Sequence, residues 1–144
     1  MKKCLWILSL ILVVSLQGFA QIRVACIGNS ITEGFGLQNP RQESYPAILN
    51  QILEDKYGEN VYEVKNFGIS ARTLLMKGDL PWMKEPYFEA VLEYNPQIVT
   101  IKLGTNDTKP HNWKYGNEFQ HDLEMLKKEI FVLTVVKNLY LKKV

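Results

Sequence analysis

A serine hydroxyl at the end of a predicted strand is the first feature of this sequence that could carry chemistry. Residues 22–27 form a short apolar run, and Gly28, Asn29 and Ser30 follow it directly. A strand that runs into such a turn holds the serine hydroxyl at the rim of a sheet, within reach of solvent and of a substrate. These are also ordinary turn and helix-cap residues, so the motif alone leaves a nucleophile and a structural turn both open.

Two further turns, which contain Gly68 and Asn106, each follow a run of residues that predicts a strand. The carboxyl ends of parallel strands lie at one edge of a sheet, and ligands bind there. We therefore expect Ser30 to meet the backbone N–H of Gly68 and the side-chain amide of Asn106.

A nucleophile with such donors suits acyl transfer. Attack on an ester carbonyl builds negative charge on the carbonyl oxygen, and preorganised N–H groups stabilise that charge. One such donor contributes about 3 kcal/mol of barrier lowering in known enzymes. The N–H groups of Ser30 and Gly68 and the amide of Asn106 are the predicted donors.

The elements that must position these residues alternate between strands and helices. Apolar or alternating runs predict strands over 22–27, 62–65 and 98–101, the second of them near a sheet edge. Caps and apolar stripes predict helices from Ser44 to Gly58, from Pro86 to Asn95 and from Asn117 to Ile130. Residues 33–42 and 74–85 are predicted as loops, the latter with some helix, and residues 131–136 as a fourth strand. This alternation predicts an α/β fold with a parallel sheet covered on both faces.

The first 20 residues have the pattern of a secretory signal peptide. Lys2 and Lys3 precede an apolar run that ends near Leu16, and small residues precede a cleavage site after Ala20. The run is shorter than the ~20 residues that span a bilayer, which argues against a membrane anchor. We expect a secreted or periplasmic protein, with a signal peptide at 1–20 and one domain at 21–144.

Charge and cysteine content exclude several classes of partner. The chain has 17 basic and 15 acidic residues, and the predicted signal peptide removes two lysines and no acid, so the remainder is balanced. A balanced chain predicts no nucleic-acid partner and, after cleavage, no membrane partner. Cys26 is then a lone cysteine in an apolar strand, which is typical of a small buried side chain.

The three turns together resemble the sequence blocks of the SGNH/GDSL hydrolase superfamily, especially its sialate O-acetylesterase and carbohydrate-esterase members. The blocks are Gly-Asn-Ser-Ile-Thr at 28–32, Asn-Phe-Gly-Ile-Ser at 66–70 and Gly-Thr-Asn-Asp at 104–107. The resemblance implies a flavodoxin-like three-layer α/β/α sandwich that hydrolyses small acyl esters without a metal or organic cofactor. It makes Ser30 the nucleophile and makes Gly68 and Asn106 parts of the oxyanion hole.

The catalytic base of that family does not have a match here. The family pattern places it in an Asp-x-x-His segment, and no such segment occurs in the 144 residues. We therefore expect a C-terminally truncated domain. His111, in the loop after the third block, and His121, on a predicted helix face, are the substitutes to weigh, while Asp107 is expected to cap a turn.

These observations predict a secreted serine esterase that removes acyl groups, acetyl in particular, from a carbohydrate or another small ester. The predicted partner is therefore a small-molecule acyl ester such as an acetylated sugar. A carbohydrate-binding remnant without catalysis and an inactive fragment are the alternatives.

Overall fold

A computed structural model describes the backbone of residues 21–141 and the side chains of residues 21–131. The predicted signal peptide lies outside these residues. A parallel sheet of three strands forms the centre, in the order β2-β1-β3. The strands are β1 (Ile22–Gly28), β2 (Tyr62–Gly68) and β3 (Ile98–Lys102). This is the order in which flavodoxin-like sheets arrange their first three strands, and the predicted α/β fold is confirmed.

Helices connect the strands and follow the last of them. Three precede β2, one lies between β2 and β3, and two follow β3; short 3₁₀ turns cover Trp82–Lys84 and Gly116–Glu118. The helices are α1 (Ser30–Glu33), α2 (Pro40–Glu43), α3 (Tyr45–Tyr57), α4 (Pro86–Tyr94), α5 (Pro110–Trp113) and α6 (Phe119–Leu141).

The central strand β1 is apolar because both of its faces are covered. Its residues Val24, Ala25, Cys26 and Ile27 are all buried. Ala25 and Ile27 pack in a core with Trp82, with Val91 of α4 and with Leu126 and Ile130 of α6. Continuous apolar runs are typical of strands that are buried on both faces. The apolar sequence of β1 therefore reflects its position at the centre of the sheet.

The prediction of a fourth strand at 131–136 is wrong. These residues continue helix α6, which runs from Phe119 to Leu141. The run is rich in β-branched residues, but no Gly or Pro separates it from the preceding helix. Without a breaker, a helix that has already formed extends by one hydrogen bond per residue, and continuation is favoured over a new strand.

Candidate active site

The turn that carries Ser30 is built by close packing behind it. Strand β1 ends at Gly28, and the side-chain oxygen of Asn29 accepts a hydrogen bond from the backbone N–H of Ile31, at 3.2 Å. A Cβ atom on Gly28 would lie only 1.9 Å from the hydroxyl oxygen of Thr32, so only glycine fits. Ser30 is half-buried and lies at the carboxyl end of β1, as predicted. It begins helix α1, which the sequence did not predict.

The second turn is tied to the first by Asn66. The Nδ2 of Asn66 donates to the backbone oxygen of Thr32 at 2.7 Å, and its Oδ1 accepts the N–H of Gly68 at 2.9 Å. A Cβ on Gly68 would lie 2.2 Å from the backbone nitrogen of Glu33. Gly68 therefore lets β2 and α1 approach closely. Its role as an oxyanion donor stays a prediction, and that role requires its N–H to leave Asn66.

Ala71 is a feature of this turn that sequence reasoning missed. Its φ of +67° is left-handed, a conformation that costs a residue with a Cβ about 1–2 kcal/mol. Within the described part of the chain, its backbone N–H has no hydrogen-bond partner. Strained residues cluster at functional sites, but alanine gives no sequence signal for positive φ, as glycine or asparagine does.

Hydrogen bonds on both sides hold the backbone around Ala71. The guanidinium of Arg72 donates to the backbone oxygen of Ser70 at 2.9 Å and pairs with Glu85 at 2.8 Å. The side-chain amide of Asn106 donates to the backbone oxygen of Arg72 at 3.0 Å. One of the two Nδ2 hydrogens of Asn106 is thereby used, and the other remains for a ligand.

The third turn pins the loop that follows Ala71, over residues 72–79, which we call the pinned loop. The buried carboxylate of Asp107 accepts the backbone N–H of Leu74 at 2.9 Å and that of Leu75 at 2.7 Å. We expected Asp107 to cap a turn of its own. It instead satisfies buried N–H groups of another segment, which would cost free energy if they were left unpaired.

Two more buried side chains hold the pinned loop. Asp122 of α6 accepts the N–H of Met76 at 2.8 Å, and Asn112 of α5 accepts the N–H of Asp79 at 2.9 Å. Asn112 also donates to the backbone oxygen of Asn106 at 2.9 Å. The second and third turns are therefore fixed relative to each other by polar contacts on several sides.

Helix α1 contacts the second turn through Glu33, the last residue of α1, whose carboxylate accepts a hydrogen bond from the hydroxyl of Ser70. Glu33 lies in the same short helix as Ser30, and Ser70 directly precedes Ala71. This contact orients the nucleophile turn relative to the second turn.

The two histidines lie in different surroundings. The Nε2 of His111 lies 3.1 Å from Oδ2 of Asp79, and the pKa of that carboxyl is lowered, chiefly by the hydrogen bond from Asn112 and further by His111. The side chain of His121 is 78% exposed on helix α6, beside Asp122. Within the described residues, neither imidazole makes a hydrogen bond to Ser30.

A partly buried polar cluster lies on the α3 side of β1. The hydroxyl of Tyr45 is 3.1 Å from that of Thr100, and the free thiol of Cys26 lies against both. Burial raises the pKa values of the Cys26 thiol and the Tyr45 hydroxyl. A buried thiol with a raised pKa is a poor nucleophile, so Cys26 behaves as the small core residue that the sequence predicts.

The fold and the sequence together define the class of this protein. The model of the GDSL-like lipase/acylhydrolase family matches residues 26–136. The chain belongs to this family, and the predicted membership of the SGNH/GDSL superfamily is confirmed.

One curated relative is an acetylxylan esterase from Xylanibacter ruminicola. The two sequences are 55% identical over 109 residues, a stretch that covers 76% of this chain and 22% of the relative. The chain therefore spans about a fifth of the length of this relative.

The solved structures that resemble the chain include AlinE4, an esterase of the SGNH-hydrolase family. It aligns with a TM-score of 0.52 at 21% identity, and the match covers 76% of this chain and 53% of that one. A mutant of the same esterase aligns with the same TM-score. At this identity the likeness supports the fold.

No helix between residues 21 and 141 is long and apolar enough to cross a membrane. Among the same residues, no three His, Cys, Asp or Glu side chains converge on a point where a metal ion could bind.

Proposed function

We propose that this chain carries the nucleophile and the oxyanion-binding groups of a serine esterase that deacetylates a carbohydrate. The observation that carries the proposal is that three turns, each after one strand of a parallel sheet, are joined by hydrogen bonds, from Asn66 to Thr32, from Ser70 to Glu33 and from Asn106 to Arg72. The family and the acetylxylan esterase relative support an ester substrate, and the name of that relative favours an acetylated xylan.

The proposed reaction begins when the hydroxyl oxygen of Ser30 attacks the ester carbonyl carbon. The serine proton passes to a base, the carbonyl oxygen becomes an oxyanion, and collapse of the tetrahedral intermediate releases the sugar hydroxyl and leaves an acyl-serine. Water then hydrolyses the acyl-serine. The backbone N–H of Ser30 and the free Nδ2 hydrogen of Asn106 are the proposed donors to the oxyanion.

The third proposed donor to the oxyanion is the backbone N–H of either Gly68 or Ala71. The N–H of Gly68 is already donated to Asn66, whereas the N–H of Ala71 has no partner among the described residues. A preorganised donor needs no rearrangement as charge develops, which favours Ala71. Replacement of Ala71 by L-lactic acid through semisynthesis, which turns the amide into an ester, removes this N–H without fixing φ as proline would, and Ala71→Gly keeps the N–H. Full activity in the ester variant would return the assignment to Gly68.

The base can be supplied from outside for the test. Imidazole is added to the purified chain with p-nitrophenyl acetate, and the rate is compared with that of Ser30→Ala at each imidazole concentration. We expect a Ser30-dependent increment, because free imidazole can accept the serine proton. Asn106→Ala should reduce that increment about a hundredfold, while Thr108→Ala, an exposed neighbour, should leave it unchanged.

Equal rates for the chain and for Ser30→Ala at every imidazole concentration would refute Ser30 as the nucleophile. A second readout avoids dependence on rates. Acid quenching during turnover should trap an acetyl group on the peptide that contains Ser30, and mass spectrometry would locate it. An acetyl group on another residue would assign the nucleophile elsewhere.

We also propose that residues 1–20 are a signal peptide and that the protein is exported. The basic start, the short apolar run and the small residues before position 21 support this. The test is the N-terminal sequence of the protein recovered from culture medium or periplasm. A mature N-terminus at Gln21 is expected, and a chain that keeps Met1 in the cytoplasm would contradict export.

A further inference from the structure

A cavity of about 280 Å³ opens beside the candidate active site, and we call it the rim cavity. It is lined by Glu33, Pro40, Arg41, Ser44, Pro46, Ala47, Val64 and Asn66. Glu33 is the last residue of α1, which Ser30 begins, and its carboxylate bonds Ser70. Helix α1 therefore contributes Glu33 to the wall of the rim cavity and Ser30 to the nucleophile turn.

Two charged side chains of the rim cavity have polar atoms without a partner among the described residues. Arg41 is exposed and makes no ion pair or hydrogen bond with any described residue. Only Oε2 of Glu33 bonds Ser70, which leaves Oε1 available. These two side chains supply an array of N–H donors and a carboxylate acceptor at one opening.

Ser44 adds a buried hydroxyl to this set. It is almost completely buried and occupies the N-cap position of α3, yet its side chain makes no capping hydrogen bond. Its oxygen lies 3.5 Å from Nδ2 of Asn66, the limiting length for a hydrogen bond. N-cap serines ordinarily accept a backbone N–H. The Ser44 oxygen instead accepts this long hydrogen bond from Asn66, and its O–H remains as a donor for another partner.

The lining determines the chemistry of the ligand. A carboxylate disfavours an anion, and an unpaired guanidinium disfavours a cation, whereas a neutral molecule with several hydroxyl groups satisfies both. The apolar wall of Pro40, Pro46 and Val64 suits the C–H face of a ring. Pockets for small molecules measure about 300–1,000 Å³, and a cavity just below this range accommodates one sugar ring.

We propose that the rim cavity is a subsite for one neutral pyranose unit of the carbohydrate that carries the ester. This proposal rests on the proposed function, because it places the sugar next to the acyl group that Ser30 attacks. Oε1 of Glu33 accepts a sugar hydroxyl hydrogen, and the guanidinium of Arg41 donates to sugar oxygens.

The experiment titrates the isotope-labelled Ser30→Ala chain with unacetylated xylotriose and follows backbone amide shifts by NMR. We expect saturable shifts at millimolar sugar that centre on Glu33, Arg41 and Ser44. Arg41→Ala should weaken binding at least fivefold, and Lys56→Ala, an exposed cation at the far end of α3, should leave it unchanged. Retained binding in Arg41→Ala, or shifts centred elsewhere, would overturn the subsite.

Charged sugars separate the neutral assignment from its alternatives. Glucuronate should bind more weakly than xylose because the carboxylate of Glu33 repels its carboxylate, and protonated glucosamine should bind more weakly because the guanidinium of Arg41 repels its ammonium group. Tighter binding of either charged sugar would overturn the neutral assignment.

The subsite and the esterase site can fail separately. Because the titration uses Ser30→Ala, it does not depend on turnover. Binding without Ser30-dependent hydrolysis would refute the proposed function and support the subsite. Ser30-dependent hydrolysis of p-nitrophenyl acetate without any xylotriose binding would refute the subsite alone.

Discussion

The carboxylate of Asp107 lies 2.7 Å from the backbone nitrogen of Leu75, 32 residues earlier in the chain. Asp107 is fully buried and its neighbour Asn106 is a proposed oxyanion donor, so one turn both presents the donor and fixes the loop against which it rests. Asn106 itself bonds Arg72 at the start of that loop. The position of the proposed oxyanion donor Asn106 is thus fixed by two contacts of the third turn with the pinned loop, one through Asn106 and one through Asp107.

Removal of the Asp107 carboxylate should destabilise the protein strongly. Asp107→Ala leaves the N–H groups of Leu74 and Leu75 buried without acceptors, and each unsatisfied group costs about 1–3 kcal/mol. We expect a loss of about 3 kcal/mol or more in urea unfolding, with a smaller loss for Asp107→Asn, which keeps one acceptor oxygen. Asp55→Asn, an exposed aspartate on α3, is the control. A stability of Asp107→Ala equal to that of the wild type would contradict the role of this carboxylate.

Substitution of Ala71 by glycine should stabilise the fold. Glycine adopts φ of +67° without the clash of a Cβ, so Ala71→Gly is expected to gain up to about 1 kcal/mol. The matched control is Ala90→Gly inside helix α4, where glycine costs about 0.5–1 kcal/mol. Opposite signs for the two alanines in urea unfolding support the left-handed conformation, and a loss at both positions argues against it.

Gly68 should tolerate no side chain. Gly68→Ala places a Cβ 2.2 Å from the backbone nitrogen of Glu33, and such overpacking costs about 1–3 kcal/mol or more. The control is Gly36→Ala, where φ is +87° but no atom lies within 4 Å of the added Cβ, so that only backbone strain of about 1 kcal/mol is expected. Equal losses in the free energy of unfolding for the two variants would show that α1 shifts readily to make room for a Cβ at position 68.

Asp79 should stabilise the fold above its ordinary pKa. Because its pKa in the fold is lowered from 3.8, chiefly by the hydrogen bond from Asn112, the ionised form is favoured in the native state. Its contribution is present above pH ~3.8 and is lost as pH falls through the lowered pKa. The stability difference between the wild type and Asp79→Asn should therefore be constant near neutral pH and shrink towards pH ~3. A difference that grows on acidification would contradict the lowered pKa.

The sequence allowed good prediction where the signal is local. The apolar run of β1, the β-branched residues of β3 and the glycine turns after them follow directly from strand burial and turn chemistry. The strand prediction at 131–136 is wrong because the β-branched residues there follow a helix with no intervening Gly or Pro. Composition is a weak guide when the preceding residues are already helical.

The arrangement of the site depends on contacts that no local pattern reveals. Asp107 looks like a turn residue because its partners lie far away in sequence. Gly68 was predicted to offer its N–H to a substrate, but the acceptor that takes it, Asn66, is visible only once the turn is folded. Ala71 adopts the left-handed conformation that is expected of glycine, and an alanine in the sequence does not indicate such a conformation.

The central position of β1 in the sheet also affects how the chain folds while it is being synthesised. Arg23 exchanges two hydrogen bonds with Gln97, 74 residues later, through the backbone oxygen and nitrogen of Arg23. At about 5–20 residues per second, Gln97, at the start of the β3 side, is synthesised roughly 4 to 15 seconds after Arg23. During that interval a nascent chain exposes its most apolar strand with one or both edges open, which makes β1 the segment that a chaperone is expected to bind.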